Sequence, residues 1–164
     1  MRHAVAGIRK PTPVQERIVV SAILGLREEV SGDPSAELTS GAQVGVDTTA
    51  VEEGAKFFPF LRLTVPEGCP HNEDLVALGE FQGWEIYRVP WAGSKSATYL
   101  KRNGVTLSFA DILHAFPHSP REEQRSGTWA TIREARRRGI KVRFCPLDGS
   151  PPWVEPATSG HLFP

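Results

Sequence analysis

Residues 125–142, RSGTWATIREARRRGIKV, set Ser126, Gly127 and Thr128 directly before an apolar-periodic helical segment, with Thr131 one turn further on. A glycine-containing turn that opens a helix presents backbone N–H groups without intrahelical acceptors, at the positive end of the helix dipole. Such a turn can hold a phosphate or a carboxylate. Ser126, Thr128 and Thr131 add hydroxyl donors, and Gly127 lets the main chain approach closely. The plain alternative is that Ser126 or Thr128 caps the helix, and one turn can do both.

A second stretch of this kind is SGAQVGVD, residues 40–47. Here Gly41 and Gly45 can clear room for a nucleotide while Asp47 accepts a hydrogen bond from a ribose hydroxyl or orders the loop. Equally, the stretch reads as a tight turn with Asp47 capping the next helix. Arg9 and Lys10 follow an apolar run that ends at Gly7, where a cationic head meets either a phosphate or water. Arg102 and Asn103, in YLKRNG, carry the same two readings. The cluster ARRRG at 135–139 reads as a solvated helix end, its arginines complementing the negative pole of the dipole and Gly139 closing the helix. His71, His114 and His118 show no metal-ligand spacing, so no metal is expected, and no cofactor is implied.

These residues need elements to position them. Six apolar runs, HAVAG, AELTSG, LRLTVP, WEIYRVP, DILHAFP and KVRFCPL, alternate with segments of helical character. Thr12 and Pro13 begin the first helix, with Val14, Ile18, Ala22 and Leu26 at helical spacing, and Gly83 ends a helix before the fourth run. The segment SKSATYLKRNGVTLSFA is read as helical despite Gly104, and the last helix carries Trp129, Ile132 and Ala135 on one face. Alternation of this kind predicts an α/β fold of Rossmann type, a mostly parallel sheet of about six strands with helices on both faces. Ligands in such sheets bind beyond the carboxyl ends of the strands, where the glycine-rich loops fall.

The chain has 164 residues, of which 40% are hydrophobic, enough for one well-buried core. The reading is one domain over residues 1–146 and a Pro/Gly-rich tail over 147–164, coil by composition, with Trp153 expected to dock on this chain or on a second subunit. Lys+Arg and Asp+Glu both total 19, so no broad basic surface is expected and any nucleic-acid contact must be local. Two isolated cysteines argue against a disulfide scaffold and for a reducing cytoplasm. No apolar run approaches the roughly 18 residues of a membrane span, and MRHAVAG lacks the apolar stretch of a signal peptide, so a soluble, unprocessed protein is expected.

Four of these loops, in order, resemble the SLOG superfamily of Rossmann-like proteins, which includes the Smf/DprA and lonely-guy branches. The DNA-processing protein A branch looks closest. GIRKPTPVQ is similar to that family's glycine–arginine turn at Gly7 and Arg9, and SGAQVGVDTTAVEEG to its SG-x-x-x-G-[IV]-D-x-x-A-H motif at Ser40, Gly41, Gly45, Val46 and Asp47. The motif's histidine is absent, since Val51 follows Ala50. YLKRNG is similar to an Arg-Asn pair that opens a helix near the pocket, and SGTWATIREA to SG-[ST]-x-x-T-x-x-x-A at Ser126, Gly127, Thr128, Thr131 and Ala135.

The resemblance implies a nucleotide or nucleotide-derived phosphorylated ligand, with single-stranded DNA binding as the alternative from the DNA-processing branch. The lonely-guy branch implies a third possibility, removal of ribose phosphate from a nucleoside monophosphate, and also pairing of two copies. Its PGGxGTxxE motif is not intact here. Gln124-Arg125-Ser126-Gly127 replaces its start, and Thr131 stands where the glutamate should be, leaving Glu134 as the nearest carboxylate along the helix.

Overall fold

The computed structural model describes residues 1–158. Its strands are β1 (Arg2–Gly7), β2 (Glu37–Ser40), β3 (Phe60–Pro66), β4 (Glu85–Val89), β5 (Ile112–Phe116), β6 (Lys141–Phe144) and β7 (Trp153–Glu155). Its helices are α1 (Pro13–Leu24), α2 (Arg27–Ser31), α3 (Val46–Gly54), α4 (Glu73–Gln82), α5 (Lys95–Ser108) and α6 (Gly127–Arg137). The sheet runs β4-β3-β2-β1-β5-β6-β7, parallel throughout except for the last pair. The chain first builds outward from β1 to β4, then crosses back to lay β5 on the other side of β1. Two neighbouring strands, β1 and β5, therefore send their following loops to opposite faces, and a crevice opens between them.

Both faces of the sheet are covered, as the continuous apolar strands require. Val5, Leu38 and Phe116 meet Val19 and Ile23 of α1 and Val46 of α3 on one side. On the other, Ala4, Ala6 and Leu113 meet Leu107 of α5 and Trp129 and Ile132 of α6. Thr12 caps α1 in a reciprocal box with Gln15, and Pro13 occupies the first turn. Val19, Ile23, Leu26 and Val30 are the buried residues of this region; of the expected series Leu26 is buried, Ile18 and Ala22 pack against the edge of the core, and Val14 is exposed. The core-facing stripe of α1 thus centres one position further on, at Val19 and Ile23, and a break at Gly25 carries the chain on into α2 with Val30 buried.

The seventh strand comes from the tail read as coil. Trp153 lies flat on Phe144, ring centroids 4.3 Å apart and planes at 6°, and β7 pairs antiparallel with β6. Arg136 of α6 clamps the strand through both carboxylate oxygens of Glu155, at 2.9 and 2.7 Å. Trp153 thus docks on its own sheet; residues 159–164 lie outside the described part. Trp153→Ala is expected to lower stability by about 2 kcal/mol, less than for a fully buried tryptophan because the ring is only half covered. A urea titration followed by near-UV circular dichroism measures it.

Of the histidines, His114 is a buried β5 residue stacked on His3, with Nδ1 of His3 2.8 Å from Nε2 of His114. Burial holds both imidazoles below their ordinary pKa. Among the described residues no group of three or more His, Cys, Asp or Glu side chains could hold a metal ion.

Candidate functional site

The crevice between β1 and β5 is a cavity of about 790 Å³. Its walls come from the end of β1, the loop after β2, the middle of α5, and the loop and first turn of α6.

Close glycine contacts hold these pieces together. A Cβ on Gly7 would fall 2.3 Å from Cγ1 of Val46, so the start of α3 lies directly against the end of β1. Gly45, at φ 88°, is the N-cap of α3, and Val46 N–H donates to the Ile8 carbonyl at 3.0 Å. This staple fixes the loop that carries Arg9, whose guanidinium lies 5.0 Å from the Tyr99 ring centre. Gly41 brings its carbonyl to the Arg102 guanidinium, which donates to it through Nη1, and a Cβ there would sit 2.6 Å from that same nitrogen.

Arg102 is 7% exposed, and among the described residues the only other hydrogen bond of its guanidinium goes from Nε to the neighbouring Asn103 carboxamide at 3.1 Å. It has no ion-pair partner among the described residues. Arg62, equally buried, is held at 2.9 and 2.8 Å by Glu37 and Glu85. Burial pulls the Arg102 guanidinium below its ordinary pKa, with Asp47 opposing that shift through space. Asp47 lies in the first turn of α3, where its Oδ2 accepts weakly from the Gln43 amide at 3.4 Å. Burial pushes its carboxyl up to about 6, against the pull of Arg102 and of hydrogen bonds from Gln43 and Ser40.

Across the cavity, Ser126 caps α6 by accepting from Trp129 N–H at 3.3 Å. The Thr131 hydroxyl is turned back to the Gly127 carbonyl at 3.1 Å, and Thr128 is buried. The cap and the open turn coexist: Ser126 serves Trp129, while the first-turn amides of Gly127 and Thr128 keep no acceptor within the helix. A Cβ on Gly127 would meet nothing within 4 Å, so this glycine borders open space.

The structure brings Gly7, Arg9, Gly41, Asp47, Arg102, Asn103, Ser126, Gly127, Thr128 and Thr131 to the cavity wall. Lys10 points to solvent outside it, while Ser40 and Gly45 lie behind the lining, Ser40 bracing the Ala42 amide at 3.2 Å. Arg102 and Asn103 do not open a helix. They sit in the middle of α5, whose N-cap is Ser94, because helical register rather than a turn aims them inward.

Sequence reasoning missed Gln43, Tyr99 and the loop residues Glu123, Gln124 and Arg125, which also line the wall. Tyr99 stands one turn before Arg102, a spacing that could have found it. Arg133 was missed too, and it ties down that loop by donating to the Glu123 and Gln124 carbonyls at 3.4 and 3.1 Å. Glu134 does not line this cavity; Arg137 and Arg138 hold it and pull its carboxyl to about 2.

No known family model matches this chain, and no curated protein matches it in sequence. Solved structures do. DNA processing protein A from Helicobacter pylori, described for its single-stranded DNA binding mode, superposes with a TM-score of 0.63 at 19% identity, over 88% of this chain and 64% of that one. DNA processing protein A from Streptococcus pneumoniae gives 0.63 at 18%, over 86% of this chain and 48% of that one. The protein TM1055 gives 0.56 at 18%, over 86% and 71%. This chain thus spans about two thirds or less of the DNA processing proteins it matches, and what it shares with them is the Rossmann-type fold.

Proposed function

We propose that this DprA-like Rossmann-type chain binds a nucleotide or nucleotide-derived phosphorylated ligand in the β1/β5 cavity. The observation that carries the reading is Arg102: a buried guanidinium with no carboxylate in salt-bridge contact among the described residues, lining the same cavity as a helix N-terminus whose first-turn amides lack acceptors within the helix. A buried charge whose nearest carboxylate, Asp47, acts on it only through space is costly, and an incoming anion supplies the direct partner. Phosphate held between guanidinium and first-turn amides gains charge-assisted hydrogen bonds from both sides. The ligand-binding set is Gly7, Arg9, Gly41, Asp47, Arg102, Asn103, Ser126, Gly127, Thr128 and Thr131, with Ser40 and Gly45 as the frame and Lys10 at the rim.

Single-stranded DNA is the second reading, favoured by the likeness to the Helicobacter pylori protein. Phosphoribohydrolase action is disfavoured, because Glu134, the nearest carboxylate along α6, is tied to two arginines outside the cavity. Cys69 and Cys145 are both free, which supports a reducing, cytoplasmic setting. No helix among the described residues is long and apolar enough to cross a membrane.

A thermal-shift comparison of AMP, ADP-ribose and a short oligo-dT tests the reading. A ligand at 100 times its Kd adds about 2.7 kcal/mol of stability, which is a visible shift. Gly127→Asp places a carboxylate in the open space of the turn without a clash, at a helix position that welcomes negative charge. The variant is expected to keep the melting temperature of the free protein and to lose the shift. If only the oligonucleotide stabilises, with affinity falling by about 0.7 in log–log slope for each phosphate held as salt rises, the DNA reading takes its place.

A further inference from the structure

Asp47 is a second ionisable group on the cavity wall without an ion pair, and it is 5% exposed. The groups that face it are Arg102 from α5, the Ser40 hydroxyl from the end of β2, the Gln43 amide from the loop after β2, and Arg9 from the loop after β1. None of the described cations is in salt-bridge contact with it, and the Arg102 hydrogen bonds run instead to the Gly41 carbonyl and Asn103. An anion drawn in by Arg102 therefore shares the cavity with a carboxylate that is itself buried. A second negative charge beside a buried carboxylate raises its pKa and favours its protonated form.

We propose that this cavity takes up its phosphate together with one proton, which settles on Asp47 and lets that side chain donate an O–H hydrogen bond to the bound anion. The inference rests on the anion-binding reading above. Its balance is simple: carboxylate, proton and anion combine into a carboxylic acid hydrogen-bonded to the anion, with no other bond made or broken. Burial already holds the free carboxyl near 6, so little further change is needed for the proton to stay. The sign follows from linkage. The ligand raises the pKa of Asp47, so affinity is greatest at low pH and falls as pH rises through the window between the free and bound values.

Calorimetric titration of the whole chain with ADP-ribose tests this, because its phosphates stay fully ionised across neutral pH and contribute no proton of their own. The expected result is a Kd about tenfold tighter at about pH 6 than at about pH 8. Titrations near neutrality in two buffers of different ionisation enthalpy are expected to count a net proton uptake. Asp47→Asn is expected to abolish both effects and, at high pH, to bind about as tightly as the parent does at low pH. A parent affinity that does not change with pH, or a dependence that persists in Asp47→Asn, overturns the proton coupling and leaves the anion site standing. No heat with either ADP-ribose or sulfate at either pH overturns the anion site as well. The proton count on the parent protein decides the matter even if the variant does not fold.

Discussion

Arg102→Met is expected to weaken anion binding by more than about a hundredfold while leaving the melting temperature of the ligand-free protein unchanged or higher. The two halves of that result come from one cause. Charge-assisted hydrogen bonds to a phosphate are worth about 1.5–3 kcal/mol each, so losing the guanidinium's bonds removes two decades of affinity or more. Free protein, by contrast, keeps this charge away from water with only a carbonyl and a carboxamide as hydrogen-bond partners among the described residues. Methionine retains much of the apolar stem and removes the buried charged head, which lies 5.5 Å from the Tyr99 ring centre. Asp47, deprived of its nearby cation, has its pKa raised further and takes up a proton more readily, which limits the cost of leaving it without that cation. A drop of several degrees in melting temperature with binding retained would place Arg102 among the structural residues and remove the observation on which the function rests.

How much of this site was legible beforehand depended on whether a residue's role is set by local register or by distant chain. Gly7, Gly41 and Gly127 sit at strand ends or helix starts, where turn chemistry shows in the letters themselves, and all three reach the cavity. The parallel sheet was equally legible, because strands buried on both faces read as continuous apolar runs. β7 was not: three residues are too few to show a period, and what holds Trp153 is Phe144 in another strand. The same limit hid Glu123, Gln124 and Arg125, which belong to no element and reach the wall because Arg133 holds their loop. Arg102 stood out as a residue of interest, but nothing in YLKRNG told that its charge would be buried without a partner while that of Arg62 would have two.

Gly45→Val is expected to cost about 4 kcal/mol or more, the largest stability loss of any single change at the site, and to take ligand binding with it. Two independent penalties add. At φ 88° and ψ −130° the backbone lies where side chains other than glycine are strained by about 1–3 kcal/mol. A Cβ built there also falls 2.4 Å from the Arg9 carbonyl oxygen and 2.6 Å from that of Ile8, and these are main-chain atoms that cannot swing aside. Relief requires the loop after β1 to withdraw, which breaks the hydrogen bond from Val46 N–H to Ile8 and moves Arg9 off the Tyr99 ring. Folding and the binding site are therefore held by the same contact, and the substitution cannot damage one and spare the other. Gly127→Val makes the comparison sharp, since that position borders open space and its change should cost about 1 kcal/mol or less. Chemical denaturation of the two variants side by side measures the difference, and equal losses would show that the β1 loop yields freely and that the Gly45 staple does not set the shape of the cavity.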